Sequence, residues 1–290
     1  MDWIDTYFSK ILEYEKLFNQ SEKELVHLQK VFQKFINKKN ARIFFIGAGY
    51  TGHMLRGITD YLWFLFDEKE DKFKTFISSE KHINTFSNDN EHNDVYFEQY
   101  FQVGYLDMAD FSFTNNDLVI EFSITGNTKY NLGILKKAKE SYATTISINC
   151  VNKEKNLNKL DLKLNFIDYL INFNFDSLYI EGWTFGPETT FLKIILDYLI
   201  IKSYNNLGKI YQNKIVSTYA FNNKTYEFSI NIIKELLGLD FLEAKKLLDK
   251  NQKYLAESLI THLYKISYQE AKILISKNKI ADLLDLKLNK

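Results

Sequence analysis

Cysteine and proline each occur once in 290 residues, as Cys150 and Pro187. A single thiol cannot close an internal disulfide, and its isolation suits a reducing compartment. Neither sign of charge is in excess, with Lys plus Arg and Asp plus Glu at 37 each. Such a balance offers no general attraction to nucleic acid or to an anionic membrane, so neither is an expected partner. Runs of about twenty apolar residues are missing, which excludes the usual transmembrane helix. The first residues lack the basic, apolar and small-residue regions of a secretory signal, so a cytoplasmic protein is expected. The histidines, His27, His53, His82, His92 and His262, show no H-x-x-x-H spacing. With no C-x-x-C either, a metal site is not expected, nor is a bound cofactor.

What the chain has in plenty is apolar surface. Forty-six per cent apolar and 16% aromatic residues can build a sizeable core, so disorder throughout is excluded. The length allows one large α/β domain, or one domain with a small appendage.

Two helices are expected before residue 39. Leu25, Leu28, Val31, Phe32, Phe35 and Ile36 follow helical spacing, and Ser21 with Glu24 reads as an S-x-x-E capping box. Ile43–Ile46 reads as a buried strand and 51–66 as the helix after a glycine turn. A polar stretch, 78–94, reads as an exposed loop. "DLVIEFS" (117–123) and "ATTISINC" (143–150) read as strands around a helix near 130–142, and "LKLNFID" (162–168) alternates weakly. Residues 187–208 form a long apolar helix, with Pro187 where a missing N–H costs nothing. Strands alternating with helices predict an α/β fold with a doubly wound parallel sheet. The tail from about 222 is all-helical, and "LDFLEAKKLLDKN" (239–251) aligns without gaps on "ISYQEAKILISKN" (266–278). The expected organisation is N-terminal helices (1–39), an α/β domain (40–215) and a C-terminal helical subdomain (216–290).

Two turns carry the functional signal. In "RIFFIGAGYTG" (42–52), Gly47, Gly49 and Gly52 make G-x-G-x-x-G. A dinucleotide site would also want an acid at the end of the next strand, and "FKTFISS" (73–79) ends without one. The second turn, "SITGNT" (123–128), offers Ser123, Thr125 and Thr128 hydroxyls beside Gly126 and Asn127, at the start of a helix. Hydroxyls and a helix N-terminus form a phosphate site without lysine. A compact phosphomonoester fits two such turns better than an extended dinucleotide. The same residue types also serve as ordinary caps and turn formers.

These turns, in this order, resemble the sugar isomerase (SIS) domain, and within it the N-acetylmuramic acid 6-phosphate etherases. "GAGYTG" (47–52) stands for the family's G-A-G-T-S-G, and "ITGNT" (124–128) keeps the Gly and Thr of A-S-G-R-T. "SINCV" (147–151), "LGKIYQN" (207–213) and "AFNNKT" (220–225) follow at corresponding spacing. The resemblance covers about residue 25 to the end. It implies a sugar-phosphate ligand held by Gly49, Tyr50, Thr51, Gly52 and residues 123–128, and a homodimer with sites at the subunit interface.

It also implies lyase chemistry, removing D-lactate from the ether of a phosphorylated amino sugar with two glutamates as acid and base. One falls on Glu98, in "YFEQYF". The other has no match: the family's glutamate aligns with Tyr61, beside Asp60, the remaining acidic candidate. "EGWTFGPETT" (181–190) replaces a family stretch and loses both its basic residues. Glu188 resembles the acid that opens this helix in aminosugar-phosphate isomerases of the superfamily, and equally suits a helix dipole. The implied alternatives to a lyase are a non-catalytic sugar-phosphate sensor and an aminosugar-phosphate isomerase. His53 could reach the first turn, and Cys150 reads as a core residue.

Overall fold

The computed structural model describes residues 3–77, 101–102, 104–106, 108, 111–124, 126, 128–152, 165–175 and 186–289. The chain divides into two compact units, one of residues 1–60 and 71–199, the other of 61–70 and 200–290.

The first unit is the expected doubly wound α/β structure. Helices α1 (Trp3–Gln20) and α2 (Glu22–Asn37) lead into strand β1 (Arg42–Gly47) and helix α3 (Gly49–Leu65). Strands β2 (Phe73–Ile77) and β3 (Asp117–Ser123), helix α4 (Lys129–Glu140), strands β4 (Thr144–Asn152) and β5 (Tyr169–Phe175), and helix α5 (Pro187–Asn206) follow; the last residues of α3, from 61, and of α5, from 200, fall in the second unit. All four strand pairings are parallel and the order is β2-β1-β3-β4-β5. Both faces are covered, which is why the strands read as nearly continuous apolar runs. On one face Phe45 meets Phe32 of α2 and Phe122 of β3, while Phe173 and Phe175 pack edge-on to Phe191 of α5. On the other, Phe44, Ile46 and Val119 form a core with Leu132, Ile134, Leu135 and Ala138 of α4.

Two local expectations need correction. α2 does begin after Ser21, but Ser21 makes no capping bond through its side chain. Its N–H bonds to the Leu17 and Phe18 carbonyls, so the chain passes from α1 to α2 without the extended residue that a cap requires. Among the described residues the last strand of this sheet begins at Tyr169; of "LKLNFID", 162–164 lie outside the described residues and 165–168 hold turn and bend, where Asp168 bonds Thr145 of β4.

The second unit contains a short antiparallel pair, β6 (Ile210–Tyr211) and β7 (Lys214–Ile215). Helices α6 (Asn223–Leu237), α7 (Phe241–Lys250), α8 (Leu255–Tyr264), α9 (Tyr268–Lys277) and α10 (Ile280–Leu288) complete it. The internal echo is structural: α7 and α9 each start with a full capping box, Asp240 with Glu243 and Ser267 with Glu270. Ala244 and Ala271, one residue further along, are both fully buried.

Candidate functional site

The position of the site follows from strand order. From β1 the chain crosses to β2 on one side, then returns to place β3 on the other. The order therefore reverses between β1 and β3, and the crevice beyond the C-terminal ends of those strands is where such sheets bind ligands. Both turns read from the sequence stand there, after Gly47 and after Ser123. Their strands are held in register at the opposite end by Arg42, whose guanidinium grips Asp117 through Nε at 2.9 Å and Nη2 at 2.6 Å.

In the first turn the glycines have separate reasons. A Cβ on Gly47 would lie 2.7 Å from the Gly52 nitrogen, and one on Gly52 would lie 2.7 Å from the Gly47 oxygen. These two let α3 start hard against β1. Gly49 is different: its φ is +49°, and nothing within 4 Å would meet a Cβ there. Gly49 and the ring of Tyr50 are exposed, whereas Thr51 and Gly52 are buried. The N-terminal N–H groups of α3 lie at this turn, free of intrahelical partners as at any helix start.

In the second turn the buried Ser123 Oγ accepts the Gly126 N–H at 2.9 Å and stands 3.3 Å from Thr128 Oγ1. Gly126 has a φ of +66° and lies on Asn149 of β4, whose Cγ would be 3.1 Å from an added Cβ. Thr128 is the N-cap residue of α4, yet its side chain makes no capping bond. Its hydroxyl therefore turns to Ser123 and away from its own helix. Thr125 and Asn127 lie outside the described residues, as does Glu98.

The remaining candidates scatter. Asp60 is exposed on α3, eleven residues beyond Gly49, which is about 16 Å along the helix axis. Tyr61 is also exposed, its ring against Phe64. His53 is exposed. Glu188 is 2% exposed in the first turn of α5, and its carbonyl lies 3.8 Å from the thiol of the fully buried Cys150. Gly126 and Glu188 thus meet β4 at successive residues, Asn149 and Cys150, from opposite faces.

One buried acid was missed in the sequence. Glu121 of β3 is fully buried, two residues before Ser123, and accepts a hydrogen bond from Ser147 Oγ at 2.7 Å. Burial pushes its carboxyl up to about 7, against the Ser147 hydrogen bond and the nearby Asn131 amide, which both lower it. Residue type gave only part of the signal: "DLVIEFS" carries two acids, Asp117 at its start and Glu121 inside it, and all seven positions are buried.

No family model matches the chain. By sequence it is similar to N-acetylmuramic acid 6-phosphate etherases, which bears out the resemblance carried by the turns. It is 25% identical to the etherase of Crocosphaera subtropica over 280 residues, 96% of this chain and 87% of that protein. It is 30% identical to the etherase of Francisella philomiragia over 172 residues, 59% of this chain and 56% of the relative. The match to that relative thus spans little more than half its length. Among solved structures, a phosphoheptose isomerase from Francisella tularensis aligns at a TM-score of 0.45 and 12% identity, over 70% of this chain and all of that one. No helix among the described residues is long and apolar enough to cross a membrane.

Proposed function

We propose that this chain binds a sugar phosphate in the crevice between β1 and β3. As a divergent relative of the etherases, it cleaves the D-lactyl ether of N-acetylmuramic acid 6-phosphate or a related amino-sugar phosphate. The observation that carries the reading is the pairing of two turns at the strand-order reversal, one with bare backbone at Gly49 and one with a Thr128 hydroxyl turned to Ser123 and away from its own helix. A phosphate takes hydrogen bonds from hydroxyls and from the N–H groups at a helix start, and needs no lysine. The Tyr50 ring, exposed at the first turn, narrows the crevice or stacks on the sugar.

The chemistry needs a base for the proton on sugar C2 and an acid for the departing ether oxygen, followed by addition of water to the double bond. Glu98 takes one of these roles. Asp60, the remaining candidate for the second, faces solvent three helical turns from the first turn. That separation within one subunit favours the second reading, a sensor that binds the sugar phosphate and leaves it intact. In either case we propose a cytoplasmic homodimer, which light scattering at micromolar concentration tests.

Incubation with N-acetylmuramic acid 6-phosphate, following D-lactate release from wild type and Glu98→Gln, separates the readings. Lactate from the wild type alone supports the lyase. A ligand-dependent rise in melting temperature without turnover supports the sensor. Interconversion of an aldose and a ketose phosphate, lost in Glu188→Gln, would replace both with an isomerase.

A further inference from the structure

A row of polar side chains is buried beneath the second turn, on the face of the sheet that α4 covers. Glu121, Ser147 and Asn149 are each at most 2% exposed. Ser147 Oγ donates to Glu121 Oε2, while Asn149 Nδ2 donates to Ser147 Oγ and to Asn172 Oδ1, both at 3.1 Å. Asn149 is also the residue on which Gly126 rests. Hydrogen bonds thus join the buried carboxyl to Asn149, and the backbone of the turn packs directly on Asn149.

Its hydrogen bonds can be arranged in two ways. The single Ser147 proton has two acceptors within reach, Glu121 Oε2 at 2.7 Å and Asn149 Oδ1 at 3.2 Å. An ionised Glu121 takes it. A protonated Glu121 can instead donate to Ser147 Oγ, which releases the Ser147 proton to Asn149 Oδ1 and repolarises the amide under Gly126. Among the described residues, Glu121 Oε1 and both polar side-chain atoms of Asn131 on α4 have no hydrogen-bond partner. Asn131 lies close enough to favour the ionised carboxyl, but short of hydrogen-bond geometry. Buried polar atoms left this way are rare and call for a functional reason.

We propose that Glu121 is a proton-holding positioning residue of the second turn, which through Ser147 and Asn149 couples anion binding at Ser123–Thr128 to uptake of a proton. Glu121 and Ser123 share a face of β3, two residues or about 6.6 Å apart. A carboxylate there opposes an anion at the turn, and a neutral acid does not. Most of the other charges on these elements, among the described residues, have partners of their own. On α4, Lys139 pairs with Asp168, Lys136 and Lys137 lie over the rings of Phe101 and Tyr105, and Glu140 accepts the Tyr105 hydroxyl. Lys129 and Tyr130 stand at the helix start. On β1 Arg42 is bound to Asp117 at the far end, and Ile46 is the residue beside Glu121. On β4 and β5 the neighbours are Ser147, Asn149 and Asn172, with Tyr169 at the opposite end of β5. Burial, which holds the carboxyl up to about 7, places the exchange in the neutral range. The coupling to a ligand rests on the sugar-phosphate reading, but the link from Glu121 to the turn does not.

The sequence provides a selective probe. Thr51–Gly52 and Thr125–Gly126 are its only Thr–Gly pairs, so carbonyl-labelled threonine with nitrogen-labelled glycine yields one amide signal from each turn. In the ligand-free protein the Gly126 signal is expected to titrate with a midpoint near neutrality, and Gly52 to stay constant. Glu121→Gln should abolish the Gly126 titration. Ser147→Ala should abolish it too, while the Glu121 carboxyl signal still titrates. A flat Gly126 signal in wild type, or an unchanged titration in either variant, overturns the proposal. Calorimetry with N-acetylmuramic acid 6-phosphate, in buffers of different ionisation enthalpy, reads the coupling. Wild type should take up a proton on binding and lose about tenfold in affinity, relative to Glu121→Gln, between pH 6 and 8.5. Proton uptake that persists in Glu121→Gln overturns the coupling. Failure of wild type to bind at either pH overturns the sugar-phosphate reading, and the Gly126 titration then decides the role of Glu121 alone.

Discussion

Gly47 and Gly52 face each other so closely that a Cβ on either would lie 2.7 Å from the backbone of the other. Both contacts are to main chain, which cannot rotate aside as a side chain would. Gly52→Ala and Gly47→Ala should each cost about 3 kcal/mol of stability by urea unfolding, the upper range for overpacking. Gly49→Ala meets no atom and should cost only about 1–2 kcal/mol, from its left-handed φ. Equal costs at all three positions would mean that the turn is held differently.

The register of β1 against β3 depends on Asp117, which is fully buried and takes two bonds from Arg42 and one from the Thr114 N–H at 2.7 Å. Removing one partner of such a pair strands the other. Asp117→Ala should therefore lose about 3–5 kcal/mol in denaturant unfolding. A loss below about 1 kcal/mol would show an ordinary surface ion pair.

Stability should also fall as pH rises. Glu121, and Glu257 on α8, are carboxyls held up to about 7 by burial, the latter with help from Asp67. Between the unfolded value near 4.5 and the folded value near 7 the native state holds protons that the unfolded chain has released. Stability contributed by the neutral acids is thus complete below about 4.5 and lost as pH climbs through 7. For fully buried Glu121 the shift corresponds to about 3 kcal/mol. Glu121→Gln should gain on the wild type by that order between pH 5 and 8 in urea unfolding. A constant difference across the range would contradict it.

Much of this was legible in the sequence because the local signals and the fold agree. Runs such as "RIFFIG" and "DLVIEFS" became central parallel strands because both faces of the sheet are covered, so no alternation was needed. The echo of 239–251 in 266–278 was visible as an alignment, and the structure gives its reason, a capping box at Asp240 and another at Ser267, each wholly local. Ser21 misled because its backbone was already engaged by the preceding helix, which a motif does not report. The β6–β7 turn was hidden because Gln212 and Asn213 take positive φ without a glycine to mark it. At the site, the turns were readable from residue type. Glu121 was not, since its meaning depends on Ser147 lying opposite it in the next strand.

Thr128 offers the cleanest handle on the ligand. Its hydroxyl makes no capping bond and only a long contact with Ser123 Oγ at 3.3 Å, so Thr128→Ala should cost no more than about 1 kcal/mol of stability. If it binds phosphate, the same substitution should weaken phosphosugar binding by about 1.5–3 kcal/mol, the worth of one charge-assisted bond.

The most direct measurement is a calorimetric titration of wild type and Thr128→Ala with N-acetylmuramic acid 6-phosphate and with its unphosphorylated counterpart. The account predicts binding that depends on the phosphate in wild type and drops about tenfold or more in the variant, with the unphosphorylated sugar indifferent to the substitution. Equal losses for both sugars, or tight binding of a nicotinamide dinucleotide in their place, would contradict a sugar-phosphate site between the two turns.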